Sequence, residues 1–413
     1  MKILNLETYD FGGAGIARLY FLDECKKRGW DAKLLVLEKR SQRDDVIPIV
    51  TSKISLLLIK IFYKLVTFIK TKGVIDGKYN FFNVNVNLIS ANRILRLYGD
   101  KPDAIVVSWI TNLVNFKTIN KLQKLTNAKV IFIMADNANI TGGCHYPFEC
   151  VGYQSDCKEC PALRKGNKTA YNTLLHKKKY LPNNSVIIGT SNDCVRARLS
   201  SVFKNVQSLV MVSTIIYPYE FDKNNVRDDW RIDKTSFVIS FGASNIDSER
   251  KGFKYLLEAL KSLAMEMQLD NVLLLIAGDN CNVTFPPNLQ VKLLGRLSTE
   301  ELFKMYYASD VFVCPSIEDS GPLMVNQAVS CGIPVVAFNV GVVADLIVHK
   351  KNGYIAEIYN SEQLKDGMIY FMSNNHDGDM IKKFNRHMLK DLSQINMYSY
   401  LDNLESYIRT KVD

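Results

Sequence analysis

Residues 311–338 read VFVCPSIEDSGPLMVNQAVSCGIPVVAF. The stretch is an apolar run, a polar loop, a helical segment over 322–331 and a second apolar run. A helix between two short apolar runs is the pattern of a parallel βαβ unit. This stretch therefore predicts an α/β fold built on a parallel sheet with helices on both faces.

The same alternation extends along the whole chain. Apolar runs such as KILNL, AIVVSW and KVIFIM in the first half, and SFVISFG and NVLLLIAG in the second, are separated by helical patterns. We predict two Rossmann-like, doubly wound domains, over 1–215 and 216–390, and a C-terminal helix over 391–413 that packs back across them. Domains of this kind place the carboxyl ends of their strands at a shared central cleft, where ligands bind.

Composition narrows the function classes. The 413 residues suit two domains, and 47% hydrophobic with 23% charged residues is an ordinary globular composition. The net charge of +10 suits phosphates, anionic lipid or nucleic acid equally. No aromatic-basic module accompanies the dispersed lysines, so we expect no nucleic-acid partner. The N-terminus lacks the apolar core of a signal peptide, so we expect a cytoplasmic protein.

The longest apolar stretch, 53–72, reads KISLLLIKIFYKLVTFIKTK. Its lysines exclude a membrane-spanning helix. At 100° per residue, Lys53, Lys60 and Lys64 share one stripe, and apolar residues fill the remaining arc. The pattern predicts an amphipathic helix that either binds a membrane surface or packs on its own domain.

The second half holds the most informative polar loops. Gly242 ends a predicted strand, and Arg250 and Lys251 precede the next helix, where two cations beside free amides suit a diphosphate. Asp319 follows another strand, and its carboxylate could hold sugar hydroxyls. The alternative is that Asp319 or Ser320 merely caps the helix that follows.

A glycine-rich loop follows the first strand. Gly12, Gly13 and Gly15 lead into a helix, so backbone amides could approach an anion there. The dinucleotide fingerprint fails because Arg18 stands where its third glycine is needed. A tight turn explains the glycines without any ligand.

Four cysteines, Cys144, Cys150, Cys157 and Cys160, lie within seventeen residues and end in a Cys-x-x-Cys pair. They could hold a structural zinc ion and fix the loop 144–160. The alternative is reduced cysteines without a metal. His145 could replace one ligand or face the substrate.

The segment 315–322 together with 327–336 resembles the donor-site signature of the family 4 retaining glycosyltransferases, which have the GT-B fold. The glycine loop, Arg250-Lys251-Gly252 and Leu294-Gly295-Arg296 extend the resemblance over most of the chain. The stretch 141–146, TGGCHY, resembles a subgroup that builds bacterial surface polysaccharides.

The resemblance implies a role for each matching residue. Anchoring on Cys331-Gly332, Asp319 would contact the donor sugar and Gln327 the ribose; the competing register is Glu318 with Asn326. The implied catalytic residues are Asp319, Arg250, Lys251 and Asp136, and the implied donor-binding residues are Gly12, Gly13, Gly15, Gly242, Arg296, Ser320, Gly321, Pro322, Leu323 and Gln327. Asp136 follows Ala135, where many relatives have histidine, and a structural role is the alternative for it.

The expected reaction moves a hexose-like sugar from a nucleotide diphosphate sugar to a glycan or polyprenyl-linked glycan, with retained anomeric configuration. No cofactor is expected for catalysis. The product would serve capsule, O-antigen or exopolysaccharide synthesis, with the enzyme peripheral on the inner face of the cell membrane. The alternatives are a nucleotide-sugar epimerase of the same fold and a non-catalytic subunit of a polysaccharide assembly complex.

Overall fold

A computed structural model describes residues 1–82, 85–210, 219–279, 283–373, 378–392 and 399–409. The chain divides into two compact units: unit 1 is Met1–Met211 with Asp402–Asp413, and unit 2 is Val212–Leu401. The predicted boundary between 215 and 216 lies outside the described residues.

Unit 1 is built on a seven-stranded parallel sheet. Its strands are β1 (Lys2–Tyr9), β2 (Asp31–Glu38), β3 (Val46–Pro48), β4 (Ala104–Val107), β5 (Lys129–Ile133), β6 (Ser185–Gly189) and β7 (Gln207–Val210), in the order β3-β2-β1-β4-β5-β6-β7. The helices are α1 (Gly12–Lys27), α2 (Lys53–Thr71), α3 (Ala91–Tyr98), α4 (Phe116–Thr126), α5 (Thr169–Tyr180) and α6 (Ser191–Leu199). All four residues of β4 are buried because helices cover both faces of the sheet.

Unit 2 repeats the plan with six parallel strands. They are β8 (Phe237–Asn245), β9 (Val272–Asp279), β10 (Gln290–Gly295), β11 (Val311–Cys314), β12 (Val335–Phe338) and β13 (Gly353–Ala356), in the order β10-β9-β8-β11-β12-β13. The helices are α7 (Lys223–Asp229), α8 (Phe253–Glu266), α9 (Thr299–Ala308), α10 (Leu323–Ser330), α11 (Val343–Leu346), α12 (Ser361–Ser373) and α13 (Gly378–Leu392). The stretch 311–338 forms β11, α10 and β12, and the predicted α/β fold of two Rossmann-like domains is confirmed.

The predicted C-terminal helix over 391–413 lies partly outside the described residues, which cover 391–392 and 399–409 of this segment. Helix α13 ends at Leu392, and the last described helix is α14 (Ser399–Arg409). Asp402 pairs with Arg28 of unit 1, and Lys129 lies 4.9 Å from the ring centre of Tyr407. Within the described ranges, no helix has the length and apolar character needed to cross a bilayer.

Candidate functional site

Two cations and one carboxylate meet at the carboxyl-end edge of the unit 2 sheet. Asp319 lies in the loop after β11, and Arg250 and Lys251 lie between β8 and α8. The Asp319 Oδ2 atom accepts hydrogen bonds from Arg250 Nη1 at 2.9 Å and from Lys251 Nζ at 2.6 Å. Neighbouring parallel strands β8 and β11 bring the three predicted residues together, although they are 68 and 69 positions apart in sequence.

The backbone fixes this arrangement. Glu249–Lys251 forms a 3₁₀ turn, and the Ile317 amide donates to the Arg250 carbonyl at 2.9 Å. Gly252 follows with φ of +67°, and a Cβ atom there would stand 1.8 Å from the Pro315 carbonyl oxygen. Glycine is therefore required where the cation-bearing turn touches the loop that carries Asp319.

The charges of this cluster stabilise one another. Burial acts to raise the pKa of Asp319, but the charges of Lys251 and Arg250 outweigh it, so the pKa lies below its usual value. The Gly321 amide also donates to Asp319 Oδ1 at 3.3 Å. Asp319 is thus an ionised acceptor among donors at neutral pH.

The helix-cap alternative for this loop is wrong. Helix α10 begins at Leu323, and its N-cap is Pro322, with no side-chain capping hydrogen bond. Neither Asp319 nor Ser320 holds the position of the cap. Since proline has no N–H, the start of α10 offers an anion one donor fewer than an ordinary helix start.

Gln327 and Asn326, the ribose-side candidates of the two alternative registers, differ in their surroundings. Gln327 is buried on α10, and its Oε1 atom accepts from the Tyr306 hydroxyl at 3.1 Å. Asn326 is also buried, and its Oδ1 atom has no hydrogen-bond partner. Glu318 is almost fully buried.

The other predicted donor-side residues of unit 2 occupy varied positions. Gly242 lies in the buried part of β8, where a Cβ atom would stand 2.3 Å from Met324 Cε. Ser320 is buried with an unpartnered Oγ atom, while Leu323 is half-buried. Arg296 follows β10, is largely exposed and pairs with Asp279 at the end of β9. Gly242 lies within a strand of the unit 2 sheet, and the other three follow strands of the same sheet.

In unit 1, the predicted glycine loop starts α1. Gly15 is pressed against the end of β1, since a Cβ atom would stand 2.6 Å from the Asp10 carbonyl carbon. Gly12 and Gly13 have open space around the position of a Cβ atom. The close packing of α1 on β1 thus explains why position 15 is glycine. At Gly12 and Gly13 there is free space beside the loop.

Asp136 has a partner that the sequence analysis did not assign to it. The Asp136 carboxylate is hydrogen-bonded to His145 Nδ1, and its other oxygen accepts from the Ala138 amide at 2.7 Å. Trp109 Nε1 lies 2.9 Å from the same His145 nitrogen, and Thr111 Oγ1 lies 3.1 Å from Nε2. A histidine thus stands beside this aspartate although position 135 is alanine.

Two more buried ionisable groups lie near this cluster and were missed. Glu7 of β1 is fully buried, and its Oε2 atom accepts from the Trp109 amide at 3.2 Å. Burial raises the pKa of Glu7 to about 8. Lys177 of α5 donates to the carbonyls of Ala138 and Thr141, and burial lowers its pKa to about 8. The sequence signal for Glu7 was a charge inside an apolar segment, whereas Lys177 lies in a run of three lysines and gave no such signal.

The four predicted zinc ligands lie close together in unit 1. Cys144, Cys150, Cys157 and Cys160 all line one small apolar cavity. Burial raises the pKa of Cys157 to about 12 and that of Cys160 to about 11. In the described part of the chain, no three His, Cys, Asp or Glu side chains are arranged to hold a metal. Zinc stays a prediction, which metal analysis of protein purified without chelator tests.

The chain is similar to known glycosyltransferases in sequence and in fold. Residues 222–388 match the family described as "Glycosyl transferases group 1". An uncharacterized glycosyltransferase from Methanocaldococcus jannaschii is 24% identical over 275 residues, which cover 60% of this chain and 68% of that protein. One from Haemophilus influenzae is 30% identical over 30% of this chain and 36% of its own length.

Solved structures share the fold over nearly the whole chain. Sucrose-phosphate synthase from Thermosynechococcus elongatus has a TM-score of 0.67 at 14% identity, covering 99% of this chain and 100% of its own. Anabaena HepE, solved in complex with UDP-glucose, has a TM-score of 0.59 at 15% identity, covering 98% and 100%. The fold is thus that of the GT-B glycosyltransferases, and the family match and the relatives identify an enzyme of the glycosyltransferase class.

Proposed function

We propose that this glycosyltransferase, whose residues 222–388 match the group 1 family, takes a hexose-like sugar from a nucleotide diphosphate sugar. The acceptor is a glycan or a polyprenyl-linked glycan in surface polysaccharide synthesis, and the anomeric configuration is retained. The observation that carries the proposal is the pair of cations, Arg250 and Lys251, on one oxygen of Asp319.

The cations suit the leaving group. Two positive side chains that converge on one oxygen define a position for an anion, and a diphosphate oxygen meets the same donors as the carboxylate does. Charge builds up on the diphosphate as the glycosidic bond breaks, and preorganised donors stabilise it. Retention by attack on the same face needs positioning of donor and acceptor but no nucleophilic side chain.

Asp319 suits the sugar. Its carboxylate has about four acceptor positions, and the three donors Arg250, Lys251 and the Gly321 amide engage only part of them. When a diphosphate takes over the two cations, the carboxylate is free to accept hydrogen bonds from sugar hydroxyls. That HepE was solved with UDP-glucose supports a nucleotide sugar as the donor here.

The direct test replaces Lys251 by alanine. Lys251→Ala removes one of the two cations, and loss of such a donor lowers turnover by roughly 100-fold or more. Mass spectrometry after incubation with a panel of nucleotide sugars, with and without a membrane glycolipid extract, measures donor hydrolysis and transfer.

The matched control is Lys254→Ala, because Lys254 is an exposed lysine on the first turn of the neighbouring α8. We expect it to keep wild-type turnover, and circular dichroism should show that both variants fold. Unchanged turnover in Lys251→Ala would remove the proposed phosphate site.

One observation favours a second function, a non-catalytic subunit of a polysaccharide assembly complex. Gln327, the residue assigned to the ribose, is engaged with Tyr306 and carries no charge. Such a subunit would bind a nucleotide sugar in calorimetry and release no product with any donor or acceptor in the panel.

A further inference from the structure

Helix α2 presents two different sides. Tyr63 and Thr71 are buried, and Leu56 and Ile59 pack against the core of unit 1. The predicted alternative of packing on its own domain therefore accounts for one side only. Eight large apolar residues of the same helix are exposed: Ile54, Leu57, Leu58, Ile61, Phe62, Leu65, Phe68 and Ile69.

These eight residues form one continuous face. At 100° per residue they fill an arc of about 140°, without an interruption by a polar residue. From Ile54 to Ile69 the face extends for roughly 24 Å along the helix axis. Phe68 and Ile54 are among its most exposed members, at 65% and 73%. An apolar surface of this extent is unusual for a protein that meets only water.

Basic residues border the face along its length. Lys53, Lys60 and Lys64 lie on the adjoining stripe of the helix, with Lys60 also paired to Glu38. The segment 53–72 contains five lysines and no acidic residue. All charged residues of the helix that border the apolar face are therefore positive.

A second basic segment is fixed to the end of the helix. Asn167 Nδ2 donates to the Lys70 and Thr71 carbonyls at 3.1 and 2.8 Å, and Thr169 Oγ1 donates to the Lys70 carbonyl at 2.7 Å. The segment 164–168, RKGNK, therefore lies beside the C-terminal end of the exposed face. Its basic residues, Arg164, Lys165 and Lys168, are all exposed.

We infer that α2 and the segment 164–168 form a docking surface for an anionic lipid bilayer, with α2 lying in the plane of the interface. Exposed apolar side chains would enter the boundary of the acyl chains, and the bordering cations would contact anionic headgroups. A second copy of the chain fits less well, because a two-fold contact through this face would bring its lysines against their own equivalents. The inference rests on the proposed function for its purpose, since a polyprenyl-linked acceptor is held in a membrane.

Vesicle sedimentation tests the surface without any substrate. The full chain should sediment with vesicles of equal phosphatidylglycerol and phosphatidylcholine and remain in the supernatant with phosphatidylcholine alone. Ile61→Ser combined with Phe68→Ser should lower the partition coefficient at least roughly tenfold, because two large apolar side chains are lost from the face. Lys165→Glu combined with Lys168→Glu should lower it similarly and remove much of its salt dependence.

Matched controls lie elsewhere on the surface. Met265→Ser changes an apolar residue of α8 that is 85% exposed, and Lys121→Glu with Lys124→Glu changes two exposed lysines of α4. Both should bind vesicles like the wild type. Vesicle binding by the apolar variant equal to wild type would overturn the inference, as would no binding of the wild type to anionic vesicles.

The inference would also be overturned if the wild type formed dimers in vesicle-free buffer and the apolar variant did not. That result would assign the exposed face to a second copy of the chain.

Donor hydrolysis in vesicle-free buffer should be the same for the wild type and the apolar variant. If no donor is turned over while vesicle binding follows the pattern above, the proposed function fails and the docking surface stands.

Discussion

At the scale of single residues, Glu7 couples the stability of unit 1 to pH. Burial raises its pKa to about 8, so the carboxyl group is largely protonated in the folded protein at neutral pH. The unfolded chain releases this proton near its ordinary pKa of about 4.5. The contribution of Glu7 to stability is therefore complete below about pH 4.5 and is lost as the pH rises to about 8.

Glu7→Gln should remove this dependence, because the amide has the shape of the protonated carboxyl and does not ionise. Between pH 5 and 8, the free energy of unfolding of the wild type should fall relative to the variant by on the order of 3 kcal/mol. Urea unfolding at several pH values measures the difference. The control Glu159→Gln, at an exposed glutamate, should show the same pH dependence of the free energy of unfolding as the wild type. If Glu7→Gln also shows the wild-type pH dependence, Glu7 is not the group that couples stability to pH.

The residues of the candidate site were predictable to different degrees. The sequence placed Asp319, Arg250 and Lys251 together because each follows a strand of the same predicted sheet, and parallel strands share one carboxyl-end edge. The partnership of Asp136 with His145 was not predictable. It depends on the course of an irregular loop, which no hydrophobic period describes.

At the scale of secondary structure, the 3₁₀ turn 249–251 depends on one glycine. Gly252→Ala would place a Cβ atom 1.8 Å from the Pro315 carbonyl oxygen, at a φ of +67°. Relief of this clash must move the turn away from the loop after β11. We expect a loss of about 2 kcal/mol or more in stability and a decrease in donor turnover.

Thermal unfolding and the donor assay measure the two effects of Gly252→Ala. Gly77→Ala is the control, because nothing lies within 4 Å of a Cβ atom there and its φ is not positive. Wild-type stability and turnover in Gly252→Ala would show that the contact between turn and loop does not position Arg250 and Lys251.

Helices and strands were more predictable than their surroundings. The sequence predicted a helix over 53–72 from its period, and α2 spans Lys53–Thr71. It left open whether the apolar arc faces the protein or a membrane, because periodicity shows that a helix has an apolar side without showing what covers it. Burial shows which part of the helix the protein itself covers, with Tyr63 inside and Phe68 outside.

At the scale of the whole molecule, the chain returns to unit 1 at its C-terminus. Asp402 and Tyr407 of α14 contact Arg28 and Lys129, and Leu404 is fully buried. The two-domain plan was predictable from repeated strand and helix patterns. The contacts of α14 with unit 1 were not, because the amphipathic pattern of a single segment does not show which neighbours it packs against.

Leu404→Ala should therefore destabilise unit 1, although the substitution lies near the C-terminus. Truncation of a buried leucine costs about 2–4 kcal/mol. Urea unfolding monitored by tryptophan fluorescence measures the loss, since Arg28 lies 5.9 Å from the ring centre of Trp30 and links it to α14. Arg409→Ala, at an exposed position, should change stability little, and equal losses in both variants would argue against a specific role for Leu404.

The shared oxygen of Asp319 has a consequence for substrate selection. Arg250 and Lys251 already have a counter-ion in the Asp319 carboxylate. An incoming anion must displace this carboxylate from the two cations and so leaves Asp319 without these partners. Inorganic phosphate offers that carboxylate nothing in exchange and should compete poorly. A ligand that brings hydroxyl groups along with its phosphates compensates the displaced acid, so the two ends of such a ligand are recognised as one unit.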